Sequence, residues 1–520
     1  MLSAIAAPPA EIRSCISTSL NPSGKLHAVS VIHWHYRLRK LYHRWQAWFR
    51  GRARDTLFTK EIYLAMKLRL TLVLVLAQLG HFSFAQAQDK RQEHWVATWT
   101  TAQLVARSSQ PPPPAARGGG APGGGQRGGA QALPAPPPGA PAAVAPAGRG
   151  GPGVGINLRG FNNQTVRMIV RTSIGGRRLR VTLFNAFGSA PLVVSAAHVG
   201  LRAKESEIVP GSDRALSFHG KPGCTIGPGV VLLSDPVDLA VAPVSDLAVS
   251  LFFAGETGPP TTHGTGLHNT YIGDGDLTGQ ASIGGSTTTQ SYYWLAGVDV
   301  MAPAAASLIV AFGDSITDGA RSNPETNHSW PALLAARLAA NKGTTNLGVA
   351  NMGIGGNRLL RDGAGASALA RLANDVLAQP GVKWLMVLEG INDIGRNATV
   401  PAETTTADEL ITVLEQIIER AHTHGIKVVG CTITPYEGAN YYSDGGEAVR
   451  QAVNNWIRTS GKFDAMVDFE AAIRDPNNPK RIKAEFDPGD HLHFNDAGYQ
   501  AMANAVDLGI FSGKRAKKRR

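Results

Sequence analysis

What this sequence lacks narrows its class before any motif is considered. Three cysteines in 520 residues are too few for a disulfide scaffold, and they fit no spaced set of zinc ligands. Charged residues make up only 17% of the chain against 43% apolar, a globular balance that excludes wholesale disorder. The apolar run from Leu70 to Leu79 falls well short of the roughly 20 residues a membrane-spanning helix needs. What the chain has in excess is glycine, proline and positive charge, with 59 Gly, 32 Pro and a net +12. Its length is more than one hydrophobic core usually serves, so two folded domains are expected.

A positive balance of that size would ordinarily suggest nucleic acid or an anionic membrane as partner. Its location removes the suggestion. Residues 1–65 carry ten Lys/Arg against three Asp/Glu, Lys67 and Arg69 follow, and six of the last seven residues are basic. Residues 89–513 are left slightly acidic, so no nucleic-acid footprint falls on the part expected to fold.

The basic start has its own explanation. Met66-Lys-Leu-Arg leads into the apolar run and then into Ala85-Gln86-Ala87, the order of charged, apolar and small-x-small segments in an export signal. Residues 66–87 are therefore read as a signal peptide, with Met66 as the start and residues 1–65 as an over-extended N-terminus without an assigned fold. The expected location is secreted or periplasmic, with no transmembrane span in the mature protein. Cys224 and Cys431 remain after the signal. An oxidising compartment would allow them to pair, yet they fall in different expected domains, and the question stays open. The tail 513–520 reads as a solvated basic end.

Beyond the signal, Trp95–Trp99 reads as one short strand within 88–107. Residues 108–155 are almost wholly Pro, Gly and Ala, with too few large apolar side chains to offset the entropy of ordering. Over 156–300 the pattern has period two: Val166, Met168 and Val170 alternate with Arg167, Ile169 and Arg171, and Leu179, Val181 and Leu183 alternate with Arg180, Thr182 and Phe184. Further short strands are expected at 192–197, 230–233 and 247–253. That spacing predicts an antiparallel β-sandwich. No internal repeat is found. Tyr292, Tyr293 and Trp294 read as a packed junction rather than a sugar-stacking platform.

Over 303–512 the pattern becomes α/β. Strand-length apolar runs at 308–312, 347–351, 384–388, 428–433 and 466–467 alternate with amphipathic stretches at 330–340, 369–377, 407–424, 447–459 and 496–506. This predicts a parallel sheet with helices on both faces, whose functional residues lie just beyond the strand ends. Distinctive residues do follow those runs: Gly313-Asp314-Ser315, then Asn351-Met-Gly-Ile-Gly355-Gly356-Asn357, then Gly390-Ile-Asn392-Asp393, and finally Asp490-His491-Leu492-His493-Phe494.

These are the parts acyl transfer requires. A serine hydroxyl is a poor nucleophile until an imidazole takes its proton. Ser315 is the candidate nucleophile, His493 the base, and Asp490 the group that holds the imidazole in one tautomer. The N–H groups of Ser315 and Gly356 and the side-chain amide of Asn392 are candidate donors to the oxyanion. Asp314 and Asp393 read as braces of the strand-end turns. His491 competes for the base role but adjoins Asp490 rather than lying three residues on. Ser315 alone would read as a helix cap, Glu389 as a buried structural carboxylate, and His263 and His268 as loop residues rather than metal ligands.

The four blocks, in order, resemble the SGNH hydrolase or GDSL esterase superfamily. The resemblance implies a three-layer α/β/α flavodoxin-like hydrolase domain, Ser315, Asp490 and His493 as triad, and Ser315, Gly356 and Asn392 as oxyanion hole. It covers about 309–505 and departs at Phe494, where the family usually has proline. The finer run Val387–Ile394 and the preceding β region look like a secreted bacterial branch that includes xylan acetylesterase-like proteins. A serine esterase removing short acyl groups, foremost acetyl, from a polysaccharide or oligosaccharide is thus expected, without cofactor or metal. The alternatives are a lipase or lysophospholipase and, in another class, a glycan-binding protein with an inactive esterase domain.

Overall fold

Alternating apolar residues put Leu179, Val181 and Leu183 into the core of a strand over Leu179–Phe184, as period two requires. In the computed structural model, which describes residues 93–105 and 159–512, this strand lies third in a four-stranded antiparallel sheet. The order is His94–Thr100, Leu295–Ala302, Leu179–Phe184, Val231–Leu233. A second antiparallel sheet runs through Thr270–Asp274, Gln164–Arg171, Asp246–Phe253 and Ala196–Lys204. Residues 1–65, the export signal at 66–87, the Pro/Gly/Ala-rich stretch at 108–155 and the tail at 513–520 lie outside the described residues.

The strand Gln164–Arg171 departs from simple alternation. Its six central residues are all buried, because a second apolar cluster of Ile169, Ile208, Ala248, Tyr271 and Ile283 covers the face opposite Val166, Met168 and Val170. Arg167 is enclosed with it. Its guanidinium donates to Ser250 Oγ and to the carbonyls of Ser206, Thr278 and Gln280, which supplies the partners a buried charge needs.

The second half forms a five-stranded parallel sheet in the order Leu347–Gly353, Ser307–Gly313, Val382–Leu388, Lys427–Cys431, Ala465–Val467. Numbered along the chain this is 2-1-3-4-5, an order with its switch point between the first and third strands, where such sheets place ligands. Helices Trp330–Ala340, Ala407–Thr423, Asp444–Thr459 and Asp496–Ala505 connect or follow the strands. The longest starts with a capping box between Thr406 and Glu409. The stretch expected as one helix at 369–377 is an α-turn at Ala368–Leu372 that widens to a π-turn over Ala373–Leu377.

The two sheet regions share one continuous apolar core. At the seam, Ser173 Oγ accepts from the Val349 N–H of the edge parallel strand at 2.9 Å, and the Ala97 N–H donates to the Pro380 carbonyl at 3.0 Å. Tyr292, Tyr293 and Trp294 are buried in this core, with Trp99 edge-on to Tyr292 at 4.9 Å. Cys224 and Cys431 are both free thiols. Among the described residues no helix is long and apolar enough to cross a membrane.

Candidate active site

Ser315 opens a helix of only four residues, Ser315–Asp318, immediately after the strand Ser307–Gly313. Asp314 is its N-cap, accepting from the Ile316 N–H at 2.9 Å, and Gly319 ends it in the left-handed region at φ 103°. The turn is tight on both neighbours. A Cβ on Gly313 would stand 2.3 Å from the Leu388 carbonyl, and one on Gly353 would stand 2.1 Å from the Asp318 nitrogen. Glycine is therefore required at both strand ends.

His493 reaches Ser315 from the loop before the helix Asp496–Ala505. Its Nε2 lies 2.8 Å from Ser315 Oγ, and its Nδ1 lies 2.9 Å from Asp490 Oδ2. Asp490 Oδ1 accepts from the N–H groups of Leu492 and His493, and its Oδ2 also accepts from Arg321 Nε at 3.0 Å. Burial disfavours ionisation of Asp490, yet the hydrogen bonds and charge of His493 outweigh it and hold the carboxyl well below its usual range. The rival His491 is exposed, sits at φ 59° and bonds Asp487 instead. Phe494, standing where a proline was expected by resemblance, is fully buried edge-on to Tyr499 at 5.7 Å.

Gly356 is exposed in a turn after the strand Leu347–Gly353, at φ 77°, a conformation that suits glycine. Among the described residues, no protein acceptor takes the N–H of Ser315 or of Gly356. Asn392 starts from the third strand end, in the helix Ile391–Thr399. Its Nδ2 donates to the Asn357 carbonyl at 2.8 Å, and the Tyr441 hydroxyl donates to its Oδ1 at 3.4 Å. An amide nitrogen carries two hydrogens, so one remains to be given elsewhere. Asp393 accepts from the N–H groups of Leu359 and Leu360 at 2.8 and 3.1 Å, bracing the loop that follows Gly356.

Several residues that the motifs do not reveal hold this arrangement. Arg371 is buried and donates to the Gly313 and Met352 carbonyls, to Asn357 Oδ1 and to Asp375, so one guanidinium ties two strand ends to the glycine turn. It also lies 3.6 Å from Glu389 and over the Phe312 ring. Glu389 is buried with neither oxygen hydrogen-bonded; burial and then the neighbouring Asp314 push its carboxyl well above the usual range, Arg371 opposing. His268 lies in a loop as expected, but His263 does not. Both are buried, His263 on the strand Thr261–His263 between the Ala102 carbonyl and Asp318, His268 between Glu325 and Asn327. A cavity of about 100 Å³ adjoins them, lined in part by Trp99, Tyr292 and Asp318 and not by Ser315 or His493. Among the described residues no group of three His, Cys, Asp or Glu is arranged to hold a metal.

Residues 309–506 match the family described as GDSL-like lipase/acylhydrolase. This region is similar to the carboxylic ester hydrolases of that family. The match spans all four motif blocks and leaves the antiparallel sheets outside it. Similar solved structures include a lipolytic protein of the G-D-S-L family from Desulfitobacterium hafniense, 19% identical over 40% of this chain and 99% of its own, with a TM-score of 0.30. An alpha/beta hydrolase from the metagenome of Lake Arreo is 24% identical over 38% of this chain and 92% of its own, with a TM-score of 0.31. An acetylxylan esterase from Geobacillus stearothermophilus is 24% identical over 38% of this chain and 93% of its own, also with a TM-score of 0.31. No curated protein matches the chain.

Proposed function

We propose that the protein is an exported serine esterase that removes short acyl groups, foremost acetyl, from a carbohydrate through an acyl-enzyme. The observation that carries this reading is the unbroken chain Ser315 Oγ, His493 Nε2, His493 Nδ1, Asp490 Oδ2, with links of 2.8 and 2.9 Å. Ser315 Oγ attacks the ester carbonyl carbon as its proton passes to His493 Nε2. The imidazolium then gives that proton to the departing alcohol oxygen, leaving the acyl group on Ser315. Water repeats the attack with His493 as base and releases the acid. Asp490, acceptor-only when ionised, fixes the Nδ1–H tautomer that leaves Nε2 free to accept.

The unclaimed N–H groups of Ser315 and Gly356, with the second hydrogen of the Asn392 amide, are the proposed oxyanion donors. They need no reorganisation when negative charge develops, and losing one such donor typically costs about 10²–10³ in rate. The strand order supports a flavodoxin-like three-layer α/β/α hydrolase, and the preceding sheets support a β-sandwich. Carbohydrate as the leaving group rests on the expected export, the accompanying sheet region and the resemblance to acetylesterases, an acetylxylan esterase being among the similar structures.

Ser315→Ala is expected to abolish hydrolysis of an activated acetyl ester while the melting curve persists; retained hydrolysis would refute the assignment. Acetate release from a panel of acetylated polysaccharides, with an acyl-chain series beside it, tests the substrate. A rate peak at C8 or longer would turn the reading to a lipase.

A further inference from the structure

We infer that His263, contributed by the sheet region that precedes the hydrolase, is a positioning residue for Ser315 and acts through Asp318. The inference rests on the reading of Ser315 as nucleophile. It begins from the brevity of the helix Ser315–Asp318. Four residues close barely one turn, here through the Asp318 N–H to the Asp314 carbonyl and the Gly319 N–H to the Ser315 carbonyl, and a single turn does not hold itself. Its orientation must come from what it touches.

At the Ser315 end those contacts are the Asp314 cap and His493, both from the hydrolase region. At the other end the backbone of Asp318 rests on Gly353, and Asn351 Nδ2 donates to the Thr317 and Asp318 carbonyls. The Asp318 side chain has a different partner. Its Oδ1 lies 3.0 Å from His263 Nε2, while His263 Nδ1 lies 2.9 Å from the Ala102 carbonyl. Both residues are buried. A carbonyl oxygen can only accept, so Nδ1 carries its hydrogen, and the Nε2–Oδ1 contact must hold a second proton, because a bare ring nitrogen and a carboxylate are both acceptors. The ring is further stacked against Tyr292, with centroids 6.4 Å apart, which limits its rotation. Asp318 lies three residues from Ser315, about 4.5 Å along a helix axis, so a shift of one end is felt at the other.

The chain beyond Asp318 is tied to the same sheet region. Glu325 accepts from Arg202 and from the Asn269 N–H, its own N–H donates to the Leu267 carbonyl, and His268 bonds both Glu325 and Asn327. Between these anchors lies Arg321, which donates to Asp490. The nucleophile turn and the segment leading to the acid of the triad are thus both held by residues outside the matched hydrolase region. The sheet region is part of the catalytic geometry.

The test uses the full chain carrying His263→Leu, His263→Asn, Asp318→Asn, and the double variant His263→Leu/Asp318→Asn, with kcat and KM on an activated acetyl ester and melting by circular dichroism. Displacement of a reacting group by about 1 Å can cost 10²-fold, so a fall in kcat of roughly 10- to 100-fold is expected for folded His263→Leu, with KM within about twofold of the parent. Because both residues act through one contact, the double variant should be no slower than the slower single variant. A folded His263→Leu with parental kcat, a loss residing in KM, or losses that multiply in the double variant would overturn the inference. If His263→Leu does not fold, the shorter His263→Asn decides, since it cannot span both Ala102 and Asp318: parental kcat in that folded variant is equally fatal. A parent chain without esterase activity would instead defeat the nucleophile reading itself.

Discussion

Glu389 shows how much of this site depends on a single buried group. Burial, and next the adjacent Asp314, raise its carboxyl well above the usual range against the opposing Arg371, so just above about pH 4.3 the native state still binds a proton that the unfolded chain has released. Stability tied to this group therefore falls as pH rises from that value toward the raised native one. Glu389→Gln, always neutral, is expected to gain in melting temperature relative to the parent as the buffer moves from acid to mildly alkaline; a gap that does not change with pH would contradict it. Asp490 carries the opposite sign. Its lowered native value gives a contribution that is complete above about pH 3.9 and is lost as pH falls through the native value. The stability advantage of the parent over Asp490→Asn should accordingly shrink in acid, as paired thermal melts would show. Ser315, Asp490 and His493 could be singled out in the sequence because their chemistry needs particular residue types, a serine just after a strand and an Asp-x-x-His in the loop before the last α-helix. His263, Arg371 and Tyr441 could not, since each acts on a residue distant in the chain and carries no local signature.

At the level of elements, the parallel strands and most long helices were legible because burial imposes a period that survives in the sequence. The helix Trp330–Ala340 has the expected bounds, and the strand expected at 428–433 runs over Lys427–Cys431. Two elements escaped this logic. The helix Ile391–Thr399 has few apolar residues and contains Gly395, so its sequence carries little helical preference; it forms because it packs at the site. The π-turn Ala373–Leu377 follows Arg371, whose side chain is drawn inward to Gly313, Met352 and Asn357. Arg371→Met should therefore cost roughly 3–5 kcal/mol, as removal of one member of a buried charged group does, and should also lower kcat by loosening two strand ends. Denaturant titration and initial rates would check both. Thr406→Ala, far from the site, should cost only about 1 kcal/mol through the lost cap, with the rate of hydrolysis unchanged.

For the whole molecule, the seam decides what can be removed. The edge strand Leu347–Gly353 gives the Val349 N–H to Ser173, and the apolar core continues across both regions. A fragment starting at 303 would expose that surface and lose His263. It is expected to aggregate or to run with a large hydrodynamic radius in gel filtration, whereas a chain starting at 88 should be monodisperse; a well-behaved, fully active fragment would argue against a shared core. The sequence announced two regions of different grammar, but period and composition are blind to how two such regions meet. The two described thiols have a practical corollary. Cys431 is sealed inside the parallel sheet and Cys224 has its thiol pushed up to about 11 by burial, so neither is poised to ionise or to be alkylated at neutral pH. The described fold borrows nothing from sulfur chemistry, and a reducing host cell or a millimolar dithiol should be as hospitable to it as oxidising surroundings.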